Sequence, residues 1–236
     1  MNHFKNQKLK YAVAIGVALV ALQFVGVADA AAQDGDFRWI TRAHLVHVWP
    51  GSDRTTFENP PGESPPIFSD FWVDGGNGFN VEAEYMFRPN IGAYVGLTFA
   101  NMKTNMNFQK GPLTAESDDR VDMRQVNLGG NYHFTPESRF DFYAGVLVSW
   151  VGYSSSTFNF SASEGNLVID RDYQVKYDNE LSWGISAGSD FSFGEDSPWF
   201  ASVQVKYLLL ALEGDSNVQH LTVDPVQGYF GFGYRW

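Results

Sequence analysis

The chain has five histidines, 27 acidic residues and no cysteine, which bounds the chemistry it can carry. Without cysteine there is no thiolate nucleophile, no thiolate metal site and no disulfide framework. Nucleophilic catalysis by serine needs a base within hydrogen-bond reach, and no serine is spaced to meet a histidine. No His or carboxylate pair has the spacing of ligands on one helix face, and Gly231-Phe232-Gly233 lies inside a strand pattern with no helix after it. No catalytic residue, no metal and no cofactor is therefore expected. What stands out is a set of polar residues recurring at every second position: Arg38, Arg42, His44, Glu84, Asn131, His133, Asp190, Gln204, Lys206 and Arg235. Asp141 and Tyr143 fall in the same phase. Both signs of charge occur among them, and such groups persist away from water only by pairing with one another.

The elements that must position these residues are strands, because every second side chain of a strand faces the same way. In the last eleven residues Val226, Phe230, Phe232, Tyr234 and Trp236 share one face, and Gln227, Tyr229, Gly231, Gly233 and Arg235 share the other. An aromatic face opposite a small or polar one, over a length that crosses a bilayer when tilted, is the pattern of a barrel strand whose outside meets lipid. Seven earlier segments repeat it: 36–49, 80–87, 91–102, one ending near Phe134, 140–153, one from Leu181 to Phe193, and one from Trp199 to Leu209. Short turns follow segments two, four and six. Long polar stretches follow the others, at 51–79, 103–121, 154–177 and 213–224. The predicted fold is an all-β, eight-stranded antiparallel up-and-down transmembrane β-barrel with short periplasmic turns and long extracellular loops.

Residues 1–30 read as a cleaved export signal: Lys5, Lys8 and Lys10, then an apolar run from Tyr11 to Val27, then Ala28-Asp29-Ala30. The barrel is then 31–236, in the bacterial outer membrane. Three lysines and one aspartate leave with the signal, taking the formal charge from −11 to −13. Nucleic acid, which demands a basic surface, is excluded as a partner.

The stretch from Leu181 to Phe191, then Trp199 to Leu210, then Leu221-Thr222-Val223-Asp224-Pro225 leading into Gly231 to Trp236, resembles the last three strands of the OmpW family of outer-membrane proteins. Arg42-Ala43 and Val48-Trp49-Pro50 resemble its first strand, and Asn131 to Phe134 with Phe142 to Val146 its middle hairpin. The resemblance covers most of the chain after residue 30, apart from the long loops. It implies an eight-stranded barrel with a narrow apolar pocket that passes small hydrophobic molecules sideways into the membrane. The first loop departs from the family, being long and carrying Pro60, Pro61, Pro65 and Pro66, and Trp236 stands where phenylalanine is usual.

Strand direction divides the inward positions into two zones. The polar set lies near the periplasm and forms a plug. Nearer the outer mouth Val46, Val48, Met102, Met123, Leu147, Val151, Leu208, Leu210 and Leu212 form an apolar funnel for the solute, with Glu82, Ser182 and Gln227 as polar exceptions. An eight-stranded barrel leaves room for side chains or one small ligand, so a wide aqueous pore is excluded. The competing expectation is a closed structural or adhesion barrel, with the first loop (Ile67, Phe68, Phe71, Trp72) folded in to seal the funnel. Phe230, Phe232, Tyr234 and Trp236, apolar at every second position up to a terminal aromatic, resemble the C-terminal signal of bacterial outer-membrane barrels, which implies the outer-membrane assembly machinery as a partner. Outer-membrane lipid and lipopolysaccharide are the remaining partners; acidic loop residues such as Asp118, Asp122 and Asp170 are candidates to meet the latter through divalent cations.

Overall fold

Alternation of polar and apolar side chains leaves the chain one way to bury its polar half, which is to curl the strands into a ring with that half inside. The computed structural model describes residues 38–51, 55–58, 67–110, 113–136, 138–164, 167–194, 197–212, 221–222 and 224–236. Eight strands make the ring: β1 (Trp39–Trp49), β4 (Gly76–Arg88), β5 (Ile91–Lys110), β6 (Leu113–His133), β7 (Phe140–Tyr153), β10 (Glu180–Ser192), β11 (Trp199–Leu209) and β14 (Val226–Arg235). Each pairs antiparallel with the next, and β14 pairs back onto β1. No ring strand keeps an unpaired edge through the barrel wall, which removes the usual liability of sheet edges.

The ring is sheared. Following paired residues from Ser192 through Phe200, Gly233, Arg42, Glu82, Gly96, Asn127 and Ser149 returns to β10 at Ser182, ten residues from the start. A stagger of this kind tilts the strands and places residues of quite different sequence height side by side in the lumen.

The outer face is a belt of exposed hydrophobic side chains. Leu45 is 72% exposed, Leu181 70% and Val146 67%, while inward Arg42, Glu84 and Lys206 are almost wholly buried. This inversion suits a chain whose solvent is hydrocarbon. Aromatic rings rim the belt: Trp199 lies against Tyr234 and Phe140 against Phe191 near the short turns, and Phe79 stacks on Phe99 at the other end.

Above the belt the structure departs from the sequence expectation. Among the described residues the stretches taken for loops contain five further strands, β2 (Thr55–Glu58), β3 (Ile67–Asp74), β8 (Ser156–Glu164), β9 (Leu167–Val175) and β13 (Leu221–Thr222), and β12 (Ala211–Leu212) lies just before the last of them. Strands β5 and β6 also run on for 20 and 21 residues, well past the wall. The cause is that alternation continues there with polar residues outside, where the surroundings are water. Met102, Thr104 and Met106 stay buried while Lys103 is exposed. Among the described residues β1 begins at Trp39, with the expected start at Asp36 outside them, and β4 begins at Gly76, not Asn80. The proposed signal at 1–30 lies outside the described residues.

If the outer belt faces lipid, Val146→Arg, midway along β7, should cost about 2–4 kcal/mol of stability. The same change at Phe134, at the short-turn end, should cost about 0–1 kcal/mol. Urea unfolding of the barrel in lipid vesicles measures both.

Candidate functional site

The lumen is layered. Its lowest layer is organised by Arg42 of β1, whose guanidinium spans the barrel. Its Nη1 donates to Glu84 at 2.6 Å and to Glu82 at 3.2 Å, both on β4, and its Nη2 donates to Asp190 of β10 at 2.8 Å. Lys206 of β11 reaches Glu82 at 2.9 Å. Glu84 also accepts from Asn131 at 2.9 Å. One nitrogen of His133 lies 3.2 Å from Glu84 and the other 2.8 Å from Asp141, an arrangement that a doubly protonated ring satisfies by donating from both. Arg235 donates to Ser192 at 2.7 Å and lies 3.8 Å from Asp141. Glu82, Glu84, Asp141 and Asp190 are thus answered by Arg42, Lys206, His133 and Arg235.

Aromatic rings fill what the charges leave. Arg42 lies 4.9 Å from the Tyr143 ring centroid, Lys206 4.9 Å from that of Tyr94, and Arg235 4.6 Å from that of Phe200. Glycine makes their space: a Cβ at Gly129 would sit 2.5 Å from Tyr94, one at Gly188 2.5 Å from Tyr143, and one at Gly233 2.1 Å from Phe200.

A neutral polar layer follows. His44 has Asn80 on one nitrogen at 3.1 Å and Ser202 on the other at 3.2 Å, the order of a nucleophile, base and orienting amide. Ser202, however, also lies 2.7 Å from Asp190, and Ser202 and Asn80 are fully buried, so the trio ties strands together and meets no substrate in this conformation. Gln125 is bonded to Asn127 and Gln227. Gln204 is buried with both amide atoms unpartnered.

The upper layer is apolar. Val46, Val48, Met102, Met123, Leu147, Val151, Leu208 and Leu210 belong to one cluster, and none is more than 3% exposed. Phe71 and Val73 of β3, Phe158 of β8, Val175 of β9 and Tyr177 belong to it too, with Phe158 edge-on to Phe71 at 6.1 Å between ring centroids. The zone is therefore filled by side chains from the extracellular strands. Trp72 is half-buried; the side chains of Ile67, Phe68 and Leu212 lie outside the described ones.

Of the polar residues expected in the plug, Arg42, Glu84, Asn131, His133, Asp190 and Lys206 meet in one network. Arg235 joins at its edge, His44 and Gln204 lie in the same buried interior, and Arg38 precedes β1, half-buried. Glu82 is a correction. Sequence height put it among the apolar residues, whereas it bridges Arg42 and Lys206 because the shear sets it directly opposite Arg42. The acidic residues outside are partly engaged within the protein: Asp118 pairs with Lys103 at 3.3 Å, Asp119 accepts from the Thr157 amide at 2.6 Å, and Asp74 accepts from Asn105 at 2.8 Å. The side chain of Asp170 lies outside the described ones.

An apolar wall, a polar interior closed by ion pairs and short turns at one end define an eight-stranded barrel of the outer-membrane type. Solved structures sharing this fold include the outer membrane protein OprG from Pseudomonas aeruginosa, with a TM-score of 0.59 at 18% identity over 84% of this chain and 95% of OprG. Another is AlkL in DMPC bilayers, with a TM-score of 0.53 at 16% identity over 87% of this chain and 93% of AlkL. No family model and no curated protein matches the chain.

Removing one partner of a buried network strands the others. Arg42→Met should cost about 3–5 kcal/mol by taking from Asp190 its ion-pair partner and leaving Glu82 with Lys206 and Glu84 with His133. Lys206→Met should cost less, since Glu82 keeps Arg42, and adding Glu82→Gln to Lys206→Met should recover part of the loss. Urea midpoints in vesicles decide the order. In the extracellular region, burial pushes the Tyr177 phenol up to about 12, against an ordinary value of about 10. The unfolded chain ionises first, so this contribution is whole below pH ~10 and is lost as pH rises towards ~12. Across that window wild type should lose stability relative to Tyr177→Phe.

Proposed function

We propose that the chain is an OmpW-type protein of the bacterial outer membrane, delivered there after loss of residues 1–30, through which small hydrophobic molecules diffuse passively. The observation that carries this reading is the change along the lumen from the apolar cluster, through a neutral polar layer, to the salt-bridged layer. A greasy solute is at home in the first and is opposed by the second, because entering it means separating paired charges without water. Its way out is lateral, through the wall.

One seam suits that exit. Beside Leu208 and Leu210 the regular ladder between β11 and β14 ends at Tyr207 and Val226. Pro225 follows, and Asp224 takes a φ of 31° with its carboxylate 3.0 Å from the Leu210 amide. The Leu208 amide donates to the Pro225 carbonyl at 3.2 Å and the Asp224 amide to the Leu210 carbonyl at 3.1 Å, and so irregular a stretch parts more readily than a regular ladder. Leu208 and Leu209 face opposite sides there, inward and outward, so both surfaces of the seam are apolar. In this reading the partners are outer-membrane lipid and lipopolysaccharide around the barrel, and the assembly machinery at Phe230, Phe232, Tyr234 and Trp236, of which all but Tyr234 are strongly exposed.

A second reading, a sealed barrel serving as anchor or adhesion platform, is favoured by the near-complete burial of Val48, Val151 and Leu208 beneath Phe71 and Phe158. Uptake by vesicles carrying the purified barrel separates the two. The transport reading expects faster equilibration of the apolar probe N-phenylnaphthylamine than in protein-free vesicles, with no acceleration of glucose. No acceleration of either identifies the sealed barrel, and acceleration of glucose contradicts the plug.

A further inference from the structure

The extracellular strands are not equally attached. Strand β3 belongs to the barrel sheet, paired with β5 from Ile67 opposite Lys110 to Asp74 opposite Lys103. Strands β8 and β9 form a separate two-stranded sheet. Two hydrogen bonds tie the backbone of β8 to side chains of β6: the Thr157 amide donates to Asp119 Oδ2 at 2.6 Å and the Asn159 amide to Ser117 Oγ at 3.0 Å. Ser156 Oγ lies 3.3 Å from Thr104 Oγ1 and accepts from the Tyr177 hydroxyl at 3.2 Å. Between the two latches sits Phe158, with no exposed surface, in the same apolar cluster as Met102, Met123 and Leu208.

A segment outside the barrel ladder, tied to β5 and β6 through side chains, opens at lower cost than one stitched into that ladder, and moving elements are drawn from such places. Each latch reaches a backbone amide at the rim, where water replaces the lost partner. We infer that the β8–β9 hairpin is the inlet gate of the apolar zone, with Phe158 as its stopper and Ser117 and Asp119 as its latches. The inference rests on the transport reading above and deepens it by assigning the opening to one hairpin. When β8 lifts from β6, Phe158 leaves the cluster and the faces of Phe71 and Met102 meet the outside, while β3 stays in place as the fixed wall. A solute entering there fills the volume that the Phe158 ring gives up. The gate therefore favours compact apolar molecules over polar ones.

The absence of cysteine permits a clean test. In Ser117→Cys with Asn159→Cys, a disulfide clamps the latch in the closed state. Vesicles carrying the oxidised protein should take up N-phenylnaphthylamine at least tenfold more slowly than wild type, and a reductant should restore the rate. Independently, Ser117→Ala with Asp119→Ala should speed uptake several-fold, as should Phe158→Ala, with heat-modifiable gel mobility reporting an intact barrel. If wild type accelerates uptake but the clamp and the unlatched variant both match it, the gate is overturned and the transport reading survives. If wild type accelerates nothing, both fall.

Discussion

A guanidinium held without water between carboxylates on opposite sides of a ring is the constraint on which the rest of this structure depends. Arg42 cannot be withdrawn from Glu84 or Asp190 without leaving charges in a medium that does not solvate them. Its position fixes β1 against β4 and, across the lumen, against β10. The shear of the ring supplies the distance: only with a ten-residue stagger do Glu82, Glu84 and Asp190 converge on one side chain. The glycines follow from the same demand, because Tyr94, Tyr143 and Phe200 can lie against the cations only where the opposing wall carries no Cβ.

The plug also decides what the other two layers can do. Closed below, the lumen offers no aqueous path, so the apolar upper zone works either as packing for the extracellular strands or as a site reached from outside and left through the wall. Its lining is as buried as an ordinary core. Access then depends on a moving part, and the way the extracellular strands are joined makes β8 a different kind of neighbour from β3. The ladder gives β3 the permanence of the wall, while side-chain latches leave β8 closer to the energies at which loops open.

Much of this was legible in the sequence because parity is read directly from residue order. Inward Arg42, His133 and Lys206 and outward Leu45, Val146 and Phe230 needed only alternation. What alternation does not carry is register, and so Glu82 was assigned to the wrong layer: height counted along each strand ignores the shear that brings it beside Arg42. The lengths of β5 and β6 were hidden for another reason. Beyond the bilayer the outward residues meet water, so Lys103 and Asp118 look like loop composition although the inward alternation through Met102, Thr104 and Met106 never stops. Phe158 carried no signal of its own, since a lone aromatic in a polar stretch acquires its meaning only from the cluster it enters.

The central claim is that paired charges shut the lumen to water while the zone above them admits apolar molecules. It is tested most directly by single cysteines in this cysteine-free chain, at Leu208 in the upper zone, at Ser202 beside the plug and at exposed Asp118 outside, each challenged from outside with a charged and an uncharged maleimide. The account predicts that both reagents label position 118, that only the uncharged one reaches 208, and that neither reaches 202. Labelling of position 202 by the charged reagent at the rate seen for 118 would mean an open aqueous lumen and would contradict it.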